Sequence, residues 1–219
     1  VRTRRTASVE ALAEQFGVTP QTVRRDMRRL AAAGLLNRFH GGAGVSDSTV
    51  ENTAYQERKQ QNQAAKLAIA RKVAQAVPEG CSLILNIGTT TEAIARELMR
   101  HKGLRVITNN LNVAAILADN RDCELIVAGG IVRAPDRGIV GDATVDFVSQ
   151  FKVDIAIIGI SGIESDGTLR DYDYREVEVS RKIVESSRHA ILVADSLKYG
   201  RSAPVRIGHI SDIDHFVTD

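Results

Sequence analysis

The sequence predicts an α/β protein: a mostly parallel sheet flanked by helices, preceded by a small, separate, basic head. Three observations carry this. From about residue 62 onward, short apolar runs alternate with stretches of helical period, as in strands buried on both faces and joined through helices. The formal net charge of +2 is unevenly divided: residues 1–45 hold eight Arg against Glu10, Glu14 and Asp26, whereas the remainder holds 21 Lys or Arg against 24 Asp or Glu. A basic head on a slightly acidic body suggests two domains with different partners. Finally, the 219 residues are 43% apolar with no Trp, five Phe and four Tyr, so the core must be aliphatic. That apolar content excludes a disordered chain. The apolar runs, Ile155–Ile158 among them, are too short to span a bilayer, and no apolar segment follows the basic N-terminus as in a signal peptide. Cys81 and Cys123 each open an apolar run and read as buried thiols in a reducing compartment, so a cytoplasmic protein is expected.

Taken in order, Val9, Leu12, Ala13 and Phe16 share one face of a first short helix, with Ser8 to cap it and Gly17 to stop it. Thr19-Pro20 restarts a helix, with Thr as N-cap and Pro at the first helical position. The three-residue turn Gly17-Val18-Thr19 is the connection of a helix-turn-helix. The second helix, over about 20–32, opposes an apolar face (Val23, Met27, Leu30) to a stripe of Gln21, Arg24, Arg25 and Arg28, flanked by Thr22 and Arg29. Gln and Arg offer bidentate donors for base edges and charge for phosphates. After Gly34, residues 35–40 alternate briefly before Gly41-Gly42, as a strand entering a wing would. Thr19, Gln21, Thr22, Arg24, Arg25, Arg28, Arg29, Arg38 and His40 are therefore the candidate DNA contacts, set against the plain alternative of a solvated Arg-rich face.

Residues 46–61 are polar and aperiodic and are expected to be a linker with at most one turn of helix. The body over 62–219 then predicts a helix at 62–77, strands at 81–87, 104–108, 124–128, 153–160 and 189–194, and a last short one near 215–218. Helices are predicted near 90–100, 111–118, 143–151 and 174–187.

In such sheets ligands bind at the carboxyl ends of the strands. Polar clusters fall there: Gly88, Thr89, Thr90 and Thr91 at a helix N-terminus, Asn109 beside Asn110, Gly129-Gly130 with Arg133 close behind, and Asp195 followed by Lys198. Each has a plain reading by itself, the threonines as helix caps and Lys198 as a surface lysine. Their joint placement on one edge points to a small phosphorylated ligand. No catalytic residue, cofactor or metal site is expected. An isomerase or deaminase acting on a sugar phosphate needs a base at the reacting carbon. After the strand at 104–108 the chain instead carries Asn109 and Asn110, whose amides hydrogen-bond a hydroxyl but cannot take its proton. Asp171, Asp173 and Glu176 keep that enzyme alternative open.

Residues 19–27, TPQTVRRDM, followed by LNRFHGGA over 36–43, resemble the winged-helix head of the DeoR family of bacterial transcriptional regulators. The body resembles that family's sensor in order, through IGTTT at 87–91, ITNNLNVA at 107–114, AGG at 128–130, DSLKYGR at 195–201 and the closing Thr218-Asp219. The resemblance implies a DNA-binding repressor, a homo-oligomer released from its operator by a phosphorylated effector. It also implies a sensor similar in fold to ribose-5-phosphate isomerase, with Gly88–Thr91 and Lys198 holding the phosphate. The segments 51–55, 159–167 and 171–177 look like those of members controlling glycerol uptake and catabolism, which implies glycerol 3-phosphate as effector, with another sugar or polyol phosphate as the alternative. Family members begin with a further helix that Val1–Ala7 is too short to supply, so the head is expected to lack part of its core. They also carry Ser where this chain has Leu197, with little effect expected on Lys198.

Overall fold

A computed structural model of the chain describes residues 6–32, 36–39, 42–44 and 55–219. It divides into two compact units, Val1–Glu51 and Asn52–Asp219.

In the first unit β1 (Thr6–Ser8) leads into α1 (Val9–Phe16) and α2 (Pro20–Ala32), followed by β2 (Asn37–Phe39) and β3 (Gly42–Gly44). The Ser8 hydroxyl accepts the Ala11 N–H at 3.1 Å and so starts α1. Gly17 ends it in the left-handed region at φ 62°, where only glycine is unstrained, and the Val18 N–H returns to the Ala13 carbonyl. Thr19 accepts the Thr22 N–H at 3.2 Å, and Pro20 occupies the first helical position, where a missing N–H costs nothing. Val9, Leu12, Ala13, Val23, Met27, Leu36 and Ala43 form the core. Two residues expected on that core are outside it: Phe16 is 66% and Leu30 42% exposed. Phe16 is the last residue of α1 and Leu30 lies in the last turn of α2. β1 is not visible in the sequence pattern; it exists because its backbone pairs antiparallel with β3, which in turn pairs with β2.

The second unit begins inside the segment expected to be a linker. α3 (Tyr55–Gln60) is a helix without a single buried residue, so no apolar periodicity announces it. It is followed by α4 (Gln63–Ala76), β4 (Ser82–Leu85), α5 (Thr89–Glu97), β5 (Leu104–Thr108), α6 (Leu111–Leu117), β6 (Cys123–Val127), the short hairpin β7 (Ile131–Val132) and β8 (Ile139–Val140), and α7 (Asp142–Ser149). The chain continues through β9 (Val153–Ile158), β10 (Gly162–Ile163), β11 (Thr168–Asp171), α8 (Tyr174–Glu185), β12 (Ser187–Val193), β13 (Val205–His209) and β14 (His215–Val217). Six strands form a fully parallel sheet in the order β14-β12-β9-β4-β5-β6.

The two-residue side-chain period of a strand explains why both faces are apolar. Leu83, Leu85, Val106 and Ile157 point to one face, where Ile69, Val73, Ile94, Leu98, Val113 and Leu117 of α4, α5 and α6 (and the turn after α5) cover them. Ile84, Ile107, Ala156, Ile158 and Leu192 point to the other, under Val148 of α7 and Val177 and Ile183 of α8. Cys81 and Cys123 are free thiols, half-buried rather than buried, because both lie at the amino-terminal rim of the sheet. No helix among the described residues is long and apolar enough to cross a membrane.

Gly130 fixes the hairpin against α7. Its φ is +144°, and a Cβ there would lie 2.1 Å from Thr144 Oγ1 and 2.9 Å from the Val140 carbonyl oxygen. Gly130→Ala is therefore expected to destabilise the protein by about 2 kcal/mol in urea unfolding. Gly129→Ala, with nothing within 4 Å of the added carbon, serves as the control with little expected loss.

Candidate functional site

The candidate recognition surface of the first unit lies on α2. Gln21, Arg24, Arg25, Arg28 and Arg29 are exposed and Thr22 is half-buried, while Val23 and Met27 on the opposite face are in the core. Among the described residues nothing anchors these arginines firmly. Arg24 lies 3.8 Å from Glu10 and Arg25 3.6 Å from Asp26, exposed pairs worth little in water, and Arg28 Nε donates to the Arg24 carbonyl at 3.3 Å. Thr19 is exposed, but its hydroxyl is already engaged with Thr22 in starting the helix, so it is a capping residue first. Arg38 lies on β2 with its side chain outside the described set, and His40 lies outside the described residues altogether.

In the second unit the topology itself locates a crevice. From β4 the chain proceeds outward through β5 to β6; from β9 it proceeds the other way through β12 to β14. The strand order thus reverses between β4 and β9, and the loops leaving their carboxyl ends diverge there. Gly88–Thr91 leaves β4, Gly159-Ile160-Ser161 leaves β9, Asn109 follows β5, and Asp195–Lys198 follows β12.

Each expected ligand group can now be judged by what it already binds. Gly88 caps α5 without offering any side chain to the helix N-terminus. Thr91 is fully buried and its hydroxyl donates inward, to the carbonyls of Asn86 at 2.8 Å and Gly88 at 2.7 Å, which shapes the loop rather than facing a ligand. Thr90 is buried and Thr89 half-buried, so the subsite at this loop consists chiefly of backbone N–H groups on the positive end of α5. Asn109 is buried: its Nδ2 donates to the Ile139 carbonyl at 3.1 Å, and its Oδ1 has no partner among the described residues. The neighbouring Asn110 caps α6 through Oδ1, leaving Nδ2 similarly without a partner. Buried amide atoms left open in this way are costly unless a ligand or water completes them.

Lys198 and Arg133 part company. Lys198 is half-buried, and among the described residues its ammonium makes neither a hydrogen bond nor an ion pair. Burial, with the Arg201 charge next in weight, lowers it to about 8, and Asp195 offsets only part of that. Arg133, expected beside it as a phosphate ligand, is instead committed elsewhere. Its guanidinium meets Glu176 at 2.7 Å, Asp173 at 3.2 Å and Asp136 at closer range still. Though burial opposes the charge, those carboxylates hold it firmly protonated. Its planar fork is saturated, so it organises the rim of the site. Burial, and after it the Asp171 charge, push the Glu176 carboxyl upward, because one guanidinium cannot neutralise every acid gathered around it.

Three charged groups escape the sequence reading. Arg58 of α3 has a mostly buried side chain, 3.7 Å from Asp136, and its Nε has no hydrogen-bond partner among the described residues. Lys66 is buried, and donates to the carbonyls of Arg58 and, at 2.8 Å, Gln61; burial lowers its ammonium against the pull of Asp195. Glu92, in the first turn of α5, is 1% exposed. Only charged residues at positions the helical pattern places inward mark Lys66 and Glu92; nothing local marks Arg58. Among the described residues no cluster of His, Cys, Asp and Glu could hold a metal ion. What the edge offers is a helix N-terminus with cations around it, plus an amide acceptor and donor for hydroxyl groups.

Residues 1–49 match the DeoR-like helix-turn-helix domain, and residues 61–219 match the DeoR C-terminal sensor domain. The chain is 50% identical over 212 residues to the glycerol-3-phosphate regulon repressor of Escherichia coli (strain K12), covering 97% of this chain and 84% of that protein. Among solved structures it is similar to eIF2B delta from Chaetomium thermophilum, with a TM-score of 0.53 at 14% identity over 74% of this chain and 57% of that one. It also aligns with ribose 5-phosphate isomerase A from Methanocaldococcus jannaschii, with a TM-score of 0.47 at 16% identity over 64% of this chain and 55% of that one.

Proposed function

The chain belongs to the DeoR family of DNA-binding transcriptional regulators, and from that premise we propose that it represses genes of glycerol uptake and catabolism until glycerol 3-phosphate releases it from its operators. The half-identical regulon repressor supports the choice of effector. The observation that carries the reading is Lys198, a cation without an ion-pair partner among the described residues, on the same sheet edge as the α5 N-terminus and the open Asn109 oxygen. A phosphate takes the first two, and the polyol hydroxyls take the amides. Arg133 holds the rim through its carboxylates.

Repression requires at least two heads. A homo-oligomer sets two α2 helices into successive major grooves about 34 Å apart, and the effector favours a conformation in which they no longer match. By linkage, effector and DNA weaken each other's binding by one common factor. The test is a titration of an operator, selected from random duplexes, with glycerol 3-phosphate, ribose 5-phosphate, inorganic phosphate and glycerol. Release by glycerol 3-phosphate at the lowest concentration is expected; operator affinity indifferent to all four overturns the proposal.

The pH dependence has a definite sign. Lys198 binds phosphate only while protonated, so affinity for glycerol 3-phosphate is expected to fall as pH rises through about 8. On the acid side it falls again below the second phosphate pKa of about 6, where the dianion is lost. Near pH 8 binding should take up a proton, read as a dependence of the calorimetric heat on the buffer's ionisation enthalpy. Lys198→Arg is expected to flatten the alkaline limb.

A further inference from the structure

Helix α3 is held to its own unit by polar contacts, and we infer that Tyr55 is the positioning residue through which an occupied effector site acts on the chain segment leading back to the first unit. This rests on the effector reading above and adds the route by which it regulates. With no buried residue, α3 has no apolar face to lock it in place. The Tyr55 hydroxyl donates to the Glu92 carboxylate, 3.0 Å from each oxygen. Asn112 Nδ2 closes the same cluster, 3.2 Å from Tyr55 Oη, 3.1 Å from Glu92 Oε1 and 3.1 Å from the Asp136 carbonyl oxygen. One turn further on, Arg58 pairs with Asp136, and Lys66 grips the carbonyls of Arg58 and Gln61.

Each of these anchors leads to the phosphate subsite. Glu92 follows directly on Thr91 and shares the positive end of α5 with the proposed phosphate. Asp136 also holds Arg133, and the Arg58 charge bears on Lys198. A dianion at the α5 N-terminus competes with the buried Glu92 carboxylate for the same positive end, which leaves that carboxylate more dependent on Tyr55 and Asn112. The same dianion offers an acceptor to Arg58 Nε, which has no hydrogen-bond partner among the described residues, and so draws on the other end of α3. Both effects change how α3 is seated. Tyr55 stands four residues past the unit boundary at Glu51, so a re-seated α3 moves the point from which the connecting chain departs. This supplies the differential interaction with two states that coupling requires.

The test uses the full chain, a selected operator and glycerol 3-phosphate as probe. In the parent, effector is expected to lower operator affinity roughly 5- to 150-fold. Tyr55→Phe is expected to bind operator and glycerol 3-phosphate each within about threefold of the parent, while the release shrinks to less than about a third of the parental factor. Hydrogen exchange over residues 55–60 of the parent should change on adding effector, a readout independent of how the variant folds. The inference is overturned if Tyr55→Phe is released as fully as the parent. It is equally overturned if the variant loses effector affinity in proportion to release, or if exchange over 55–60 ignores an effector that does release the parent. A parent that no phosphorylated ligand releases brings down the effector reading, and the inference with it.

Discussion

Arg24→Ala and Arg25→Ala are each expected to weaken operator binding by roughly ten- to a hundredfold while leaving glycerol 3-phosphate binding unchanged. Both side chains are exposed on α2, near its N-terminal half, where a recognition helix reaches base edges. Their neighbours Glu10 and Asp26 hold them only through exposed pairs, so their truncation should cost the fold less than about 0.5 kcal/mol. Salt separates the two ways in which an arginine can act. If one of them neutralises a phosphate, its loss lowers the slope of log affinity against log salt by about one and weakens all sequences alike. If it reads a base, the slope holds while discrimination at one operator position relaxes. Fluorescence anisotropy on matched and mismatched duplexes at several salt concentrations distinguishes these. A double variant that binds operator like the parent would remove α2 from the interface.

Lys198→Ala is expected to produce the opposite phenotype: operator binding intact, and affinity for glycerol 3-phosphate reduced roughly ten- to a hundredfold, as for the loss of one charge-assisted bond. In cells this is a repressor that its inducer no longer releases. The contrast with Arg133 makes the prediction specific. Removing Lys198 leaves no buried charge unpaired, because among the described residues it has no ion-pair partner to strand. Removing Arg133 strands the buried Glu176 and leaves Asp136 only Arg58 and Asp173 only Arg175 as cationic neighbours among the described residues, so Arg133→Ala is expected to lose stability first and effector binding as a consequence. Thermal unfolding beside calorimetric titration tells the two apart. If Lys198→Ala and Arg24→Ala each lost both functions, the division of labour between the units would be wrong.

Much of this organisation is legible in the chain itself. The strand at 104–108 and the helix starting at Tyr174 stand where apolar periodicity puts them, because elements buried against a sheet must repeat apolar residues with their own period. The capped turn at Gly17–Thr19 is as local: its hydrogen bonds close within a few residues. The small sheet β10-β11-β13 is not legible, since two strands of it are four residues or fewer and β13 joins β11 from some 40 residues away. α3 is invisible for the reason already seen, that polar contacts leave no periodic trace. Phe16 and Leu30 mislead in the other direction: period places both on the apolar faces of their helices, yet both are exposed.

The same contrast governs the site. Local pattern and charge, by themselves, determine a basic recognition helix, a parallel sheet and a set of polar loops at its carboxyl edge, since helix capping, side-chain period and strand direction follow from neighbours in sequence. Whether a given charge in those loops is free depends on distances through space and on burial, which neighbours in sequence do not specify. Lys198 and Arg133 look alike as single cations following a strand. Only the tertiary structure surrounds one of them with carboxylates from α8 and its cap, some 40 residues on, and leaves the other without an ion-pair partner among the described residues.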